Sequence, residues 1–405
     1  MQVMVDRAVA HSIVGRLAKH DSRLGEDARG AVEWLTGFDR DEMPAVFSRR
    51  ELQLFLWYQL PRKWLISADE QLAVAEALAC FFDQVGGEAA TLAALCRSPE
   101  TAALIRSGGK RLAAALERSG LEPPDTPLLT WSAFMSIEEA LEHDLVASML
   151  EDAVDCGVLV PGARGWRRQQ NDLVERYLTS PDANSTAPLA RIHAARRQAW
   201  LDHPGHSSGD RELLERALAT VDSNPPSTGE AEAAIEPLLW LLDQIAAAVK
   251  LTQTGALPRV LVRAAVERYP DWWDTATVGP PHQEAELYPL VLLHDLTDDL
   301  KLARRQRGTL RLTPTGRALR ADPPRLLKQL AATLALELQA ELDPALARLV
   351  LDDQQEIDWS LAALLAPFNA MIIERHIPTT VTSSGRVLAA AILDARAHGS
   401  RNTLN

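Results

Sequence analysis

The sequence predicts a mainly α-helical protein. An all-α domain spans 1–201, a linker with one short helix 202–233, an α+β module 234–342, and C-terminal helices 343–405. Three observations predict this. Helix-start signals followed by apolar residues at helical spacing recur through the first half. Two Pro/Gly/Ser-rich stretches then interrupt that pattern between 202 and 233. Beyond them the elements run helix, strand, helix, helix, hairpin, the order of a winged-helix-like module.

The elements follow from local chemistry. Ser48-Arg49-Arg50-Glu51 is a capping box, with Leu52, Phe55 and Leu56 on one face behind it and Pro61 as the expected stop. Ser67-Ala68-Asp69-Glu70 repeats the device ahead of Val74, Ala75, Leu78, Phe81 and Phe82. Ser98-Pro99 sets proline at a first helical position, and Ser136-Ile137-Glu138-Glu139 opens a helix ending near Cys156-Gly157. Within 202–233 one helical run, Arg211 to Thr220, stands between the interruptions.

In the module, Pro237 to Ala248 reads as a helix with Leu238, Leu241, Leu242 and Ile245 on one side. Val249 to Thr252 reads as a short strand, and Leu257 to Arg268 and Glu284 to Leu300 as helices. Lys301 to Gln306, Arg307-Gly308 and Thr309 to Thr313 read as strand, tight turn, strand. A long helix is expected over Pro323 to Leu342, apolar helical material over Trp359 to Ile373, and a last helix over Ser384 to Ala397. An internal echo, K/R-L-T-x-T-G, links Lys250 to Gly255 with Arg311 to Gly316.

Composition bounds the function classes. A chain of 405 residues fits two or three domains. With 47% apolar and 24% charged residues it is an ordinary folding composition. Three cysteines, Cys80, Cys96 and Cys156, give no disulfide framework and suit a reducing cytoplasm, the expected location. The opening residues lack a signal-peptide pattern, and no apolar run approaches the ~20 residues a membrane span needs. With 42 Lys+Arg against 55 Asp+Glu, the net charge is −13, which argues against nucleic-acid binding over the whole surface.

Two segments carry resemblances. Phe47 to Phe82, centred on Glu51-Leu52 and Leu60-Pro61-Arg62-Lys63, is similar to a helical region of actinobacterial proteins of poorly assigned function. Leu238 to Leu330, especially Val249 to Gly255 and Leu310 to Arg317, resembles the region found in relatives of the plasmid pRiA4b ORF-3 family. The hairpin with Leu312-Thr313 and Gly316 also resembles the wing-to-helix junction of MarR-type regulators. Together these cover about a third of the chain. The resemblance implies a fold for the C-terminal half and carries over no functional residue.

The charge of 301–328 is the main functional clue. Lys301, Arg304, Arg305, Arg307, Arg311, Arg317, Arg320, Arg325 and Lys328 face only Asp322, a local +8 that leaves −21 for the rest. A hairpin studded with arginine is suited to phosphate or carboxylate contact. The helix that would read bases, Glu284 to Leu300, instead carries Glu284, Glu286, Asp295, Asp298 and Asp299 and no Lys or Arg. Flanking phosphates would repel it. The expected partner of Lys301, Arg304, Arg305, Arg307, Arg311 and Arg317 is therefore an acidic protein surface, with a DNA backbone as the alternative. Arg164, Arg167 and Arg168 beside Trp166, with Arg191, Arg196 and Arg197, form further basic clusters.

Enzyme signatures fail. Ser107-Gly108-Gly109-Lys110 has Leu104 where a phosphate loop requires glycine, and no H-E-x-x-H, G-x-S-x-G or C-x-x-C occurs. His203-Pro204-Gly205-His206 offers two imidazoles without a cysteine, and His294 with Asp298 is an i, i+4 acid–imidazole pair. Trp272-Trp273 reads as the closure of a core beside a loop, with a partner anchor as the other reading. The expectation is a non-enzymatic interaction or regulatory protein needing no cofactor or metal.

Overall fold

A computed structural model describes residues 2–37, 44–182, 185–273, 279–352, 358–374 and 377–399. The chain divides into two compact units, Met1–Ile192 and His193–Asn405. The division falls nine residues before the expected end of the first domain, inside a continuous helix.

The first unit opens with strand β1 (Gln2–Val5), helices α1 (Arg7–His20) and α2 (Ser22–Thr36), and strand β2 (Ala45–Ser48). The strands pair antiparallel, Val3 opposite Phe47 and Val5 opposite Ala45, and these four residues are buried while Met4 and Val46 are exposed. The expectation of an all-α region is corrected here. Four-residue strands some 40 positions apart are too short for alternation to register in sequence.

Helix α3 (Arg49–Leu54) runs through a π-helical stretch, Phe55–Gln59, into α4 (Leu60–Lys63). Pro61 does not stop it where expected. It sits in the first turn after the π segment, where the Leu60 amide reaches back to the Phe55 carbonyl and the register has already widened. Helices α5 (Ala68–Val85), α6 (Ala90–Cys96), α7 (Pro99–Arg106) and α8 (Leu112–Ser119) follow, then α9 (Ile137–Asp155), α10 (Trp166–Thr179) and α11 (Pro188–Leu201). Ser67 closes a full capping box with Glu70, and Ser48, Ser98 and Ser136 each accept an amide proton at a helix start. A cap of this kind is worth about 1 kcal/mol. Phe47, Phe81 and Phe82 pack ring to ring in the main core, where Trp57 donates to the Thr101 hydroxyl at 2.8 Å. A smaller core gathers Trp131, Val146, Leu150, Leu159, Val174 and Leu178.

The second unit corrects the expected linker. Residues 202–233 hold α12 (Ser208–Ser223) and most of α13 (Thr228–Ala234), both opened by serine capping boxes. Leu214, Ala217, Leu218, Ala231 and Ala234 are buried in the main core of this unit. The Pro/Gly/Ser stretches are the turns between these helices.

Helix α14 (Glu236–Ala246), strand β3 (Val249–Lys250) and helices α15 (Arg259–Arg268) and α16 (Tyr288–Asp299) follow. Strands β4 (Ala303–Gln306) and β5 (Thr309–Leu312) complete an antiparallel sheet in the order β3–β5–β4. The expected helix Glu284 to Leu300 is divided: Glu284–Glu286 is a 3₁₀ turn and the α-helix starts at Tyr288, with Pro289 in its first turn. Helices α17 (Pro314–Arg320), α18 (Pro323–Glu337) and α19 (Asp343–Leu351) come next.

The expected helix Trp359 to Ile373 is corrected too. Helix α20 (Trp359–Leu365) ends, and β6 (Met371–Glu374) pairs with β7 (Ile377–Val381) ahead of α21 (Ser383–His398). Asn369, at φ 51°, takes the left-handed conformation that turns the chain out of the helix. The expected fraying of 399–405 falls almost wholly outside the described residues.

Helix α21 packs on α18, α19, α13 and α12. A buried carboxylate fixes one side of this bundle. Asp343 accepts from Trp200 Nε1 at 2.9 Å and from Arg396 at 2.8 and 3.0 Å, with His206 Nε2 at 3.2 Å. His206 is thus a packing residue beside a paired aspartate. Trp272 is likewise in the core, stacked on Tyr269 at 4.2 Å and donating to Asn369 at 3.0 Å.

Candidate interaction surface

The β4–β5 hairpin turns on two residues, Arg307 at φ 50° and Gly308 at φ 72°. Paired left-handed residues match the right-handed twist of the strands, so this turn fixes the register. Arg304 then lies opposite Arg311, Arg305 opposite Leu310, and Ala303 opposite Leu312. Leu310, Leu312 and Ala303 are buried, whereas Arg304, Arg305, Arg307 and Arg311 are exposed.

The candidate residues separate into two groups. Arg304 and Arg311 lie on the outer face of the sheet, where Arg317 and Arg320 from α17 join them around a shallow groove of about 370 Å³. Ile245, Ala246 and Ala248 at the end of α14, with Leu312 and Pro314, give the groove apolar walls. Arg317 donates to the Leu312 carbonyl at 3.0 Å, and Arg320 pairs with Asp243. Lys301, Arg305 and Arg307 do not line the groove. Lys301, at φ 53°, precedes β4 and its carbonyl accepts from the Thr313 hydroxyl at 2.7 Å. Arg305 lies across Gly255: a Cβ there would fall 2.5 Å from Arg305 Nη1, so a side chain at 255 would push this exposed guanidinium aside. Arg307 stands at the turn.

Among the described residues no carboxylate lies within ion-pair distance of Lys301, Arg304, Arg305, Arg307, Arg311 or Arg317. Of the other basic clusters, Arg164 and Arg168 are likewise exposed with no ion pair among the described residues, whereas the rest differ. Arg191 is held by Glu142 and Asp182 at 2.5 Å each, Arg197 by Asp222 at 2.7 Å, and Arg167 by Glu117 at 3.4 Å. Arg196 donates to the His398 carbonyl at 3.0 Å. These guanidiniums are already engaged inside the chain.

Helix α16 exposes Asp295, Asp298 and Asp299. Partial burial, then the neighbouring carboxylates of Glu284, Asp299 and Asp298, push the Asp295 carboxyl above its ordinary value, against the pull of His294. Glu284 does not share that surface. Glu284 is buried and accepts from the Leu257 amide at 2.5 Å, while Glu286 accepts from the His282 and Gln283 amides. His294 does not pair with Asp298 as its spacing suggests. Its Nδ1 meets Glu284 Oε1 at 2.7 Å, and this hydrogen bond pushes the imidazole up against the opposing effect of burial. The pair pins the 3₁₀ turn to α16 and the start of α15.

The residues missed in sequence are the groove walls and the role of Arg320. The register was readable: a two-residue turn at 307–308 sets 304 opposite 311 by counting alone. The approach of α14 and α17 to the outer face is long-range and leaves no local pattern.

Among the described residues no helix is long and apolar enough to cross a membrane, and no group of three or more His, Cys, Asp or Glu is placed to hold a metal ion. No curated protein and no solved structure matches the chain. Residues 238–325, from α14 to the first turn of α18, match the family described as the Y4jL N-terminal domain, so this chain is similar to that domain across the module that carries the basic hairpin.

Proposed function

We propose that this is a non-enzymatic regulatory protein whose second unit carries a winged-helix module used for contact with an acidic protein partner. The order α14–β3–α15–α16–β4–β5, with the sheet ordered β3–β5–β4, supports the winged-helix reading. The observation that carries the function is the set of exposed arginines on β4 and β5 with no carboxylate against them among the described residues. Charged side chains left unpaired on one face steer association and choose the partner's sign. Apolar walls beside Arg304, Arg311 and Arg317 suit a protein surface that brings apolar side chains between its carboxylates.

The acidic face of α16 separates this reading from sequence-specific DNA binding. A base-reading helix with three exposed aspartates and no cation meets phosphate with repulsion. Arg307 at the hairpin turn supports the second reading, a grip on a DNA backbone through the wing alone. A salt titration with a duplex oligonucleotide, read by fluorescence anisotropy, separates them. The protein-contact reading expects no retention even at low salt. Binding that falls steeply with salt and is abolished by Arg304→Ala, Arg305→Ala and Arg307→Ala together would establish the DNA reading instead.

A further inference from the structure

The outer face of the β3–β5–β4 sheet collects cations from all three strands and from α17. Arg304 and Arg311 are directly opposed in register and so project to the same side. Lys250 of β3 stands opposite Thr309, two residues from Arg311 on β5, which places it on that side too. Arg317 joins them from α17, tethered by its hydrogen bond to the Leu312 carbonyl. Arg320 is paired with Asp243 of α14. Among the described residues no carboxylate lies within ion-pair distance of Lys250, Arg304, Arg311 or Arg317, and all four are exposed.

Three unpaired guanidiniums around a space of about 370 Å³ constrain what they can hold. Carboxylates bring one charge each, and two or three side by side in such a space repel one another. A phosphate monoester puts nearly two charges and three terminal oxygens on one centre, and the guanidinium fork engages those oxygens in pairs. A diester of a nucleic-acid backbone has one charge and two free oxygens, too few for the whole set. The walls say what carries the phosphate. Ile245, Ala246 and Pro314 flank the arginines, and a free phosphate ion would leave them in water. A phosphorylated side chain on a peptide covers them with its neighbours.

We infer that this groove binds a phosphorylated serine or threonine side chain of the acidic partner, so that phosphorylation of the partner switches the contact on. The shallow groove suits the short arm of these two residues. Recognition of this kind is the work of arginine clusters. The inference rests on the acidic-partner reading above and adds the group recognised and its control.

The test uses the full chain and three fluorescein-labelled peptides of alanine, glycine and leucine, read by anisotropy at physiological salt. They differ only at the centre: phosphoserine, a glutamate pair of equal charge, or serine. The phosphoserine peptide is expected to bind at least tenfold more tightly than the glutamate peptide. It is expected to weaken several-fold from about pH 7.5 to about pH 5.5, as the phosphate takes up its second proton. Arg304→Ala, Arg311→Ala and Arg317→Ala combined are expected to lower its affinity at least tenfold. Arg164→Ala, Arg167→Ala and Arg168→Ala, which remove the same charge from the first unit, are expected to change it less than twofold. Circular dichroism checks the fold of both, and Arg311→Lys, which keeps the charge and loses the fork, is expected to cost several-fold alone. Equal affinity for the phosphoserine and glutamate peptides, both lost in the groove variant, overturns the inference and leaves the acidic-partner reading standing. Failure of every peptide to bind, or equal loss in the two triple variants, also overturns it. The acidic-partner reading itself falls if the groove variant keeps the protein that co-purifies with the wild type. A duplex oligonucleotide that binds more tightly than the phosphoserine peptide and displaces it overturns the inference in favour of a nucleic-acid backbone.

Discussion

Arg304 and Arg311 stand directly opposite each other on the β4 and β5 strands, with Arg317 beside them. Like charges at opposed positions destabilise a sheet by a few tenths to about 1 kcal/mol. Arg307 adds to the cost by holding a left-handed backbone that Asn or Gly adopts more readily. A hairpin selected for stability alone would carry neither feature. Arg311→Thr is therefore expected to raise the melting temperature of the second unit at low salt. The gain, about 0.5 kcal/mol, shrinks toward zero near 1 M salt, where the screening length is roughly 3 Å. Thermal unfolding at two salt concentrations checks it, and a loss of stability at both would mean that Arg311 makes a contact that holds the sheet.

The same junction is built twice at the scale of elements. After β4–β5, the Thr313 hydroxyl accepts from the Gly316 amide at 2.9 Å and donates to the Lys301 carbonyl. After β6–β7, the Thr382 hydroxyl accepts from the Gly385 amide at 2.9 Å and donates to the Asn369 carbonyl. A Cβ on Gly316 would fall 2.0 Å from the Leu302 carbonyl oxygen, and one on Gly385 2.0 Å from that of Ala370. In both, the helix start sits flat against the strand opening, and only glycine permits it. Gly316→Ala and Gly385→Ala are each expected to cost about 1–3 kcal/mol, the range for overpacking a closed site. Denaturant unfolding of each variant measures it, and an effect as small as that of Gly229→Ala, which has open space around it, would contradict it. The T-x-x-G spelling of both junctions was visible in the sequence, yet the echo drawn there joined Gly316 to Gly255, a loop glycine. Serine caps, the hairpin at 303–312 and its turn were legible because each is specified within a few residues. The strand pair β1–β2, the burial of the helix expected over Arg211 to Thr220 together with the second helix α13, and the groove walls were not, because distant packing decides them. His294 shows the limit at one side chain: its i+4 neighbour is Asp298, but the fold brings it Glu284 from the turn before the helix.

For the whole molecule, the distribution of charge matters more than its sum. A chain of net −13 that concentrates +8 in 28 residues holds a strong local field against its own average. Several other arginines, Arg191, Arg197 and Arg167 among them, are neutralised by their own unit, while among the described residues those of the hairpin stay outward without an ion pair. The most direct test is co-purification of the tagged full chain from its native host, with and without nuclease, beside a variant carrying Arg304→Ala, Arg311→Ala and Arg317→Ala. The account predicts a stoichiometric acidic protein that survives nuclease treatment and is lost from the variant. Retention of the same partner by the variant, or loss of every partner on nuclease treatment, would contradict it.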